Sequence, residues 1–379
     1  MTSAAGFLDA LADAGIRFVS GVPCSYFSGP LRLIRDHPDL TYTAAANEGN
    51  ALALAVGAHL AGARSAVLIQ NSGFGNIVNP LTSLVLPYRI PVLVVMSMRG
   101  WPHAAAGEPQ HKLMGQVIPS WLRELDVPFW TFIDGGTPLP ELLAQAGQDM
   151  ASDRPAFLLV GKGAIATRLP PPATASAGIT GAALAAELLT HLPDGEPVLS
   201  TTGYLSRALY QAGHRDAHFY MQGSMGHVAG TALGVALQDP RRRVVVLDGD
   251  GAALMHLGTF AVIGGNRPPN LVHVVFDNGG YESTGGQPAP AAVDFAGVAR
   301  ACGYLTTITV TEETALSRGI KNALAAPGPV LLTVHGVAGD TGPGARASED
   351  LPVRTIATTF QAVLTGSVLD GDRTGRSQR

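Results

Sequence analysis

Cysteine is nearly absent from this chain. Its 379 residues hold only Cys24 and Cys302, too few for a disulfide framework and without metal-ligand spacing, which fits a reducing cytoplasm. Charge is sparse as well: 14% of residues are Asp, Glu, Lys or Arg, and the net charge is -4. That balance excludes the basic footprint of a general nucleic-acid binder. An anionic ligand must instead be drawn in by a local cluster of positive groups. Long apolar runs are missing too, and stretches such as Ala51–Ala63 are too short or too interrupted to span a bilayer. The opening MTSAAGFLDALADAG carries Asp9 and Asp13 but no Lys or Arg, so it reads as an amphipathic helix and not as a signal peptide. Neither SGVPCS nor STTGYL, the first strand-to-helix turns of the two halves, contains G-x-G-x-x-G, and no ribose-binding acid follows at the expected distance. A nucleotide-binding module or NAD-dependent dehydrogenase is disfavoured on that ground.

What the chain does hold is apolar residue, 46% of the total, enough for two domains with sizeable cores. Strand-like runs alternate with helical patterns throughout, the mark of parallel α/β architecture. The first half offers strands near 16–20, 41–45, 66–69, 91–96, 129–133 and 156–160; the second offers them near 197–200, 218–221, 244–247, 271–276, 304–308 and 330–334. The expected fold is therefore two doubly wound parallel-sheet domains, 1–168 and 180–365. A proline-rich linker, 169–179, separates them, and a charged, glycine-rich tail, 366–379, is expected to fray.

The stretch from Val244 to Gln287 organises the second half. The β-branched run Val244–Leu247 breaks at Asp248-Gly249-Asp250-Gly251, a helix follows, and a second apolar strand ends in Asp277-Asn278-Gly279-Gly280. This is one βαβ unit with oxygen ligands at the carboxyl ends of both strands. A hard divalent cation carrying a diphosphate suits it. Asp250 offers a carboxylate oxygen, Asn278 an amide oxygen and Gly280 a backbone carbonyl, and magnesium takes such oxygens beside phosphate and water. Gly249 and Gly251 let the backbone approach a phosphate at a helix N-terminus. Either turn alone is only a tight turn; their pairing across one βαβ unit is what points to a metal.

GDG followed by Asn-x-Gly resembles the cofactor motif of thiamine-diphosphate enzymes. With YESTGGQ, SGVPCS, NEGNALALAVGAHLAG, EPQHKLMGQ, TTGYLSR and GSMGH, nearly the whole chain is similar to their phosphonopyruvate and sulfopyruvate decarboxylases. One departure is Asp277, where the family frequently has Asn; the metal ligand matches Asn278. The resemblance implies thiamine diphosphate and Mg2+ as cofactors and two cofactor-binding domains without the central third domain of larger relatives. It also implies sites between the subunits of a homodimer or higher homo-oligomer. It implies that Glu48, in NE-x-NA, bonds N1′ of the aminopyrimidine and begins the proton relay that makes the C2 ylide. From its residue type alone, a Glu there complements the helix dipole equally well. By the same likeness Met225 wedges between the cofactor rings, the Gly223 carbonyl accepts from the 4′-amino group, and Thr202, Gly203, Gly251, Ala252 and Tyr281 complete the cofactor site. Unaided by the likeness, Met225 reads as core and Thr202 as part of an ordinary helix cap.

The implied substrate is an anionic 2-oxo acid, 3-phosphonopyruvate or, as the alternative, sulfopyruvate. Sulfopyruvate enzymes are often split into two chains, whereas this chain is fused, which favours the phosphonate. Ser25, Asn71, Ser72, Arg99 and His111 sit in loops after predicted strands and are the substrate candidates, His111 doubling as a catalytic one. Arg suits a phosphonate or carboxylate because its fork donates two parallel hydrogen bonds. A lone loop Arg or His is as readily a solvated surface residue, and His103 and His227 are equally open readings.

Overall fold

The computed structural model describes residues 1–103, 108–167, 177–339 and 344–367. Most of the expected linker and most of the expected tail lie outside them. The chain divides into two compact units, Met1–Ala173 with Tyr281–Ala291, and Thr174–Gly280 with Ala292–Arg379.

The first unit is built on a parallel sheet of β1 (Phe18–Gly21), β2 (Thr41–Ala44), β3 (Ser65–Gln70), β4 (Val92–Ser97), β5 (Phe129–Phe132) and β6 (Ala156–Val160), ordered β2-β1-β3-β4-β6-β5. These strands are buried on both faces, which is why they read as unbroken apolar runs. Side chains still alternate. Leu68, Leu93 and Val95 pack against the helices Ala4–Asp13 and Leu139–Met150, while Val67, Ile69, Val92 and Val94 pack against Glu48–Leu60 and Lys112–Glu124.

The second unit repeats the plan with β7 (Val198–Ser200), β8 (His218–Tyr220), β9 (Val244–Gly249), β10 (Leu271–Asp277), β13 (Thr306–Val310) and β14 (Val330–His335), ordered β13-β14-β10-β9-β7-β8. Two short strands, β11 (Gly280–Tyr281) and β12 (Gln287–Pro288), form a separate ribbon between β10 and β13 in the chain. Numbered by chain order within each half, both six-stranded sheets read 2-1-3-4-6-5. The winding therefore reverses between β1 and β3, and again between β7 and β9. Open α/β sheets bind ligands outside the carboxyl ends of the strands at such a reversal.

The segment Tyr281–Ala291 leaves the half in which it lies in sequence and belongs to the first unit. Glycine makes that excursion possible: Gly285 and Gly286 have φ of +123° and +73°, and a Cβ on Gly285 would stand 3.0 Å from Ser28 Cβ. Gln287 Nε2 donates to the Thr284 carbonyl at 2.9 Å and Thr284 Oγ1 donates back to Gln287 Oε1 at 2.8 Å, so the turn ties itself off.

Close helix packing in the second unit has a testable cost. A Cβ at Gly264, in the helix Gly258–Asn266, would fall 1.8 Å from the Cys302 carbonyl oxygen, a backbone atom that cannot rotate away. Gly264→Ala should therefore destabilise the protein by about 2–3 kcal/mol, read as a lower urea midpoint.

Candidate active site

In the first unit, β1 runs into Cys24-Ser25-Tyr26, β3 into Asn71-Ser72-Gly73 and β4 into Met98-Arg99-Gly100, three loops on adjacent strands at the reversal. The Arg99 guanidinium donates to Ser25 Oγ and lies over the Tyr26 ring, 4.8 Å from its centroid. Its Nε is buried without a partner, and no carboxylate among the described residues pairs with it. Burial pushes the Tyr26 hydroxyl above its ordinary pKa, against the pull of the Arg99 charge. Behind them Cys24 Sγ lies 3.1 Å from Ser97 Oγ and 3.5 Å from Gln70 Oε1, and Gln70 Nε2 donates to Ser72 Oγ at 2.5 Å.

Asn71 plays a different part from the one its sequence position suggests. It is fully buried, donating from Nδ2 to the Arg99 carbonyl at 2.8 Å and accepting at Oδ1 from the Arg99 N–H at 3.2 Å. Both ends of its amide are thus spent on the Arg99 backbone, and it fixes the loop that carries the cation. His111 is also buried, at the end of the turn Pro109–His111, with its Nε2 4.0 Å from Glu108 Oε2. Gly100, at φ +67°, would put a Cβ 2.4 Å from the His111 carbonyl oxygen, so the Arg99 loop and the His111 turn share one packed backbone contact.

Glu48 opens the helix Glu48–Leu60, whose start is set by Asn47: its side chain accepts from the Asn50 N–H at 2.9 Å as an N-cap. The Glu48 side chain is buried, and its Oε2 accepts from Asn76 Nδ2 at 2.7 Å. The carboxyl lies across Gly73, where a Cβ would meet Glu48 Oε1 at 2.3 Å. The sequence reading passed over Gly73 and Asn76, although both stand in QNSGFGN beside two named candidates. Their separation of three places is one helical turn, the signal that they share a face.

In the second unit Asp250 begins the helix Asp250–Met255 directly after β9. Its Oδ1 accepts from the Gly251 N–H at 2.6 Å, whereas Oδ2 is buried with no hydrogen-bond partner among the described residues. Burial holds its pKa well above the usual carboxylate range. The neighbouring Asp277 carboxylate adds to that rise, while the Gly251 and Gly279 amides oppose it. The β9 and β10 turns therefore converge on Asp250. Asp277, noted in the sequence only as a departure, is the second carboxylate of this spot and faces His335 Nδ1 at 3.4 Å. Asn278 Oδ1 accepts from the Gly280 N–H at 3.2 Å.

At the end of β7, Thr201 Oγ1 is buried without a partner and Thr202 Oγ1 donates to the Gln222 carbonyl at 3.3 Å. Gly203 caps the following helix at φ +87° and ψ -148°, a region essentially reserved for glycine. Met225 is half-buried in the turn that starts at Gly223, between Ser224 at φ +53° and Gly226 at φ +85°. A Cβ on Gly226 would lie 2.9 Å from the Ala252 carbonyl oxygen and 2.5 Å from His256 Cδ2, so this turn seats on the helix that carries Asp250. His256 was not among the candidates; its ring lies 4.2 Å from that of His227, and burial, then the His227 charge, lower its pKa.

Residues 1–117 match the family model of the thiamine pyrophosphate enzyme N-terminal TPP binding domain, and residues 200–334 match that of the C-terminal TPP binding domain. The chain belongs to the thiamine pyrophosphate enzymes. It is 40% identical over 350 residues to a phosphonopyruvate decarboxylase of Streptomyces viridochromogenes, covering 88% of each chain. A phosphonopyruvate decarboxylase of Streptomyces hygroscopicus is 39% identical over 88% of this chain and 87% of its own. A sulfopyruvate decarboxylase of Methanosarcina acetivorans is 29% identical over 81% of this chain and 84% of its own.

The donor set of this thiamine pyrophosphate enzyme suits the cofactor's diphosphate with a hard cation. No group of three or more His, Cys, Asp or Glu among the described residues is placed to hold a metal. Magnesium does not need one: it takes one or two carboxylates and fills its octahedron with phosphate and water oxygens. A buried carboxylate oxygen lacking any donor, beside a second carboxylate, is the kind of group a divalent cation satisfies. Among the described residues no helix is long and apolar enough to cross a membrane.

Proposed function

We propose that this enzyme decarboxylates 3-phosphonopyruvate to phosphonoacetaldehyde and carbon dioxide, working as a homodimer or higher homo-oligomer. The observation that carries the choice of an anionic substrate is Arg99: a partly buried guanidinium with no carboxylate partner among the described residues, held out at a sheet reversal by Asn71. In a chain of net charge -4 this is the local cation that an anion requires. The relatives named phosphonopyruvate decarboxylase, at 40% and 39% identity, support the phosphonate over the sulfonate.

When bound, thiamine diphosphate supplies the electron sink that a 2-oxo acid lacks as carbon dioxide departs. Asp250, Asn278 and the Gly280 carbonyl would hold its magnesium ion. Thr202, Gly203, Gly251 and Ala252 would line the diphosphate, and Gly223, Met225 and Tyr281 the rings. Glu48 would hold and pass one proton at the aminopyrimidine N1′. In the oligomer, Glu48 of one copy would serve the Asp250 turn of another. Arg99, Ser25 and Ser72 would hold the substrate anion, and His111, in contact with the Arg99 loop, would border the reacting carbons.

Steady-state assays with both acids side by side test the reading, and a higher kcat/KM for sulfopyruvate would overturn it. Hydrogen bonds to a charged group contribute about 1.5–3 kcal/mol, so Arg99→Ala should raise the KM for phosphonopyruvate by about 10- to 100-fold. Arg99→Lys should recover only part, since an ammonium keeps the charge and loses the fork.

A further inference from the structure

Asn76, Gly73 and Gly49 enclose the Glu48 side chain. Asn76 Nδ2 donates to Glu48 Oε2 at 2.7 Å. Gly73 leaves the space that the other carboxyl oxygen occupies, since a Cβ there would stand 2.3 Å from Oε1 and 2.5 Å from the carboxyl carbon. Gly49, the next residue in the helix, lets the Asn76 carbonyl oxygen come within 2.9 Å of where its own Cβ would be. The helices Glu48–Leu60 and Phe74–Pro80 thus meet backbone to backbone, and this contact delivers the Asn76 amide to the carboxyl.

We infer that Asn76 is a positioning residue for Glu48, reserving Oε2 and leaving Oε1 as the oxygen that meets the cofactor's N1′. The inference rests on the role given to Glu48 above. An amide N–H can only donate, so the oxygen facing Asn76 must be an acceptor, and a proton carried by the carboxyl sits on Oε1. Gly73 gives Oε1 its place, because any side chain there would displace the carboxyl. Asn76 does this from an exposed position on its helix, so its replacement leaves the core intact.

The test is a binding measurement that needs no turnover. Apo-protein with magnesium is titrated with thiamine diphosphate and with an analogue in which N1′ of the aminopyrimidine is replaced by CH. The ratio of the two dissociation constants reports the N1′ contact alone, because diphosphate, metal and ring packing are common to both ligands. In Asn76→Ala and in the isosteric Asn76→Asp the preference for the natural cofactor should fall by about 5- to 20-fold, less than the full contribution of a charge-assisted hydrogen bond because the variants loosen the N1′ contact without removing it. Binding of the analogue should stay within about twofold, the size of an ordinary surface change. Gly73→Ala should lower the same ratio by a separate route. Glu48→Leu, which has no donor or acceptor to offer N1′, is the control. If it leaves the preference intact, the assignment of Glu48 itself fails. If Glu48→Leu abolishes the preference while both Asn76 variants keep it, or weaken both ligands equally, the inference about Asn76 is overturned.

Discussion

Glu48→Gln should lower kcat for phosphonopyruvate by about a thousandfold, within the 10²–10⁴ range of a positioned acid or base. The glutamine keeps the size and buried site of the native side chain and can still accept from Asn76 through its carbonyl oxygen. It offers no exchangeable carboxyl proton. Magnesium and diphosphate contacts are untouched, so affinity for the cofactor should change far less than the rate, and the thermal midpoint should stay within a few degrees. The separating measurements are kcat under saturating cofactor and a cofactor titration by intrinsic fluorescence. A variant that keeps a third or more of the parent rate would remove Glu48 from the chemistry.

Asp250→Asn should have effects of opposite sign on binding and on stability. Removing even an outer partner of a metal ligand costs about 10- to 100-fold in metal affinity, so loss of the direct carboxylate should weaken magnesium-dependent cofactor binding by about 100-fold or more. The apo-protein should nevertheless become more stable. The native Oδ2 is buried without a donor and lies beside Asp277, whereas an asparagine can accept from the Gly251 N–H and donate from Nδ2 to the Asp277 carboxylate. Relief of one buried, unsatisfied group is worth about 1–3 kcal/mol, which would raise the thermal midpoint by several degrees. Calorimetry with and without magnesium and cofactor reads both. A variant equal to its parent in both states would show that no ion rests on this carboxylate.

The sheets were legible because their strands are buried on both faces. Val244–Leu247 and Leu271–Phe276 announce themselves as apolar runs, and no competing helical period disturbs them. Their ends were less clear, since β9 runs on through Asp248-Gly249 and β10 through Asp277, polar residues that pattern reading assigns to turns. Strand order and the excursion of Tyr281–Ala291 left no trace in hydropathy, because both are settled by long-range packing. The motif residues Asp250, Asn278 and Glu48 stand where chemistry at a strand end would place them. Residues whose importance lies in a partner stayed hidden. Asn76 matters through Glu48, 28 places away, and Cys24 through Ser97, 73 places away. Asn71 was named for its donors, yet the Arg99 backbone takes both ends of its amide.

The shared 2-1-3-4-6-5 winding also bears on how the chain folds. Each half presents a collapsing intermediate of the other with a decoy of the right shape, and tandem copies of one topology are prone to such misassembly. During synthesis the six strands of the front half emerge before those of the back half exist. Chains diluted from denaturant have no such head start, and their recovery should drop as protein concentration rises.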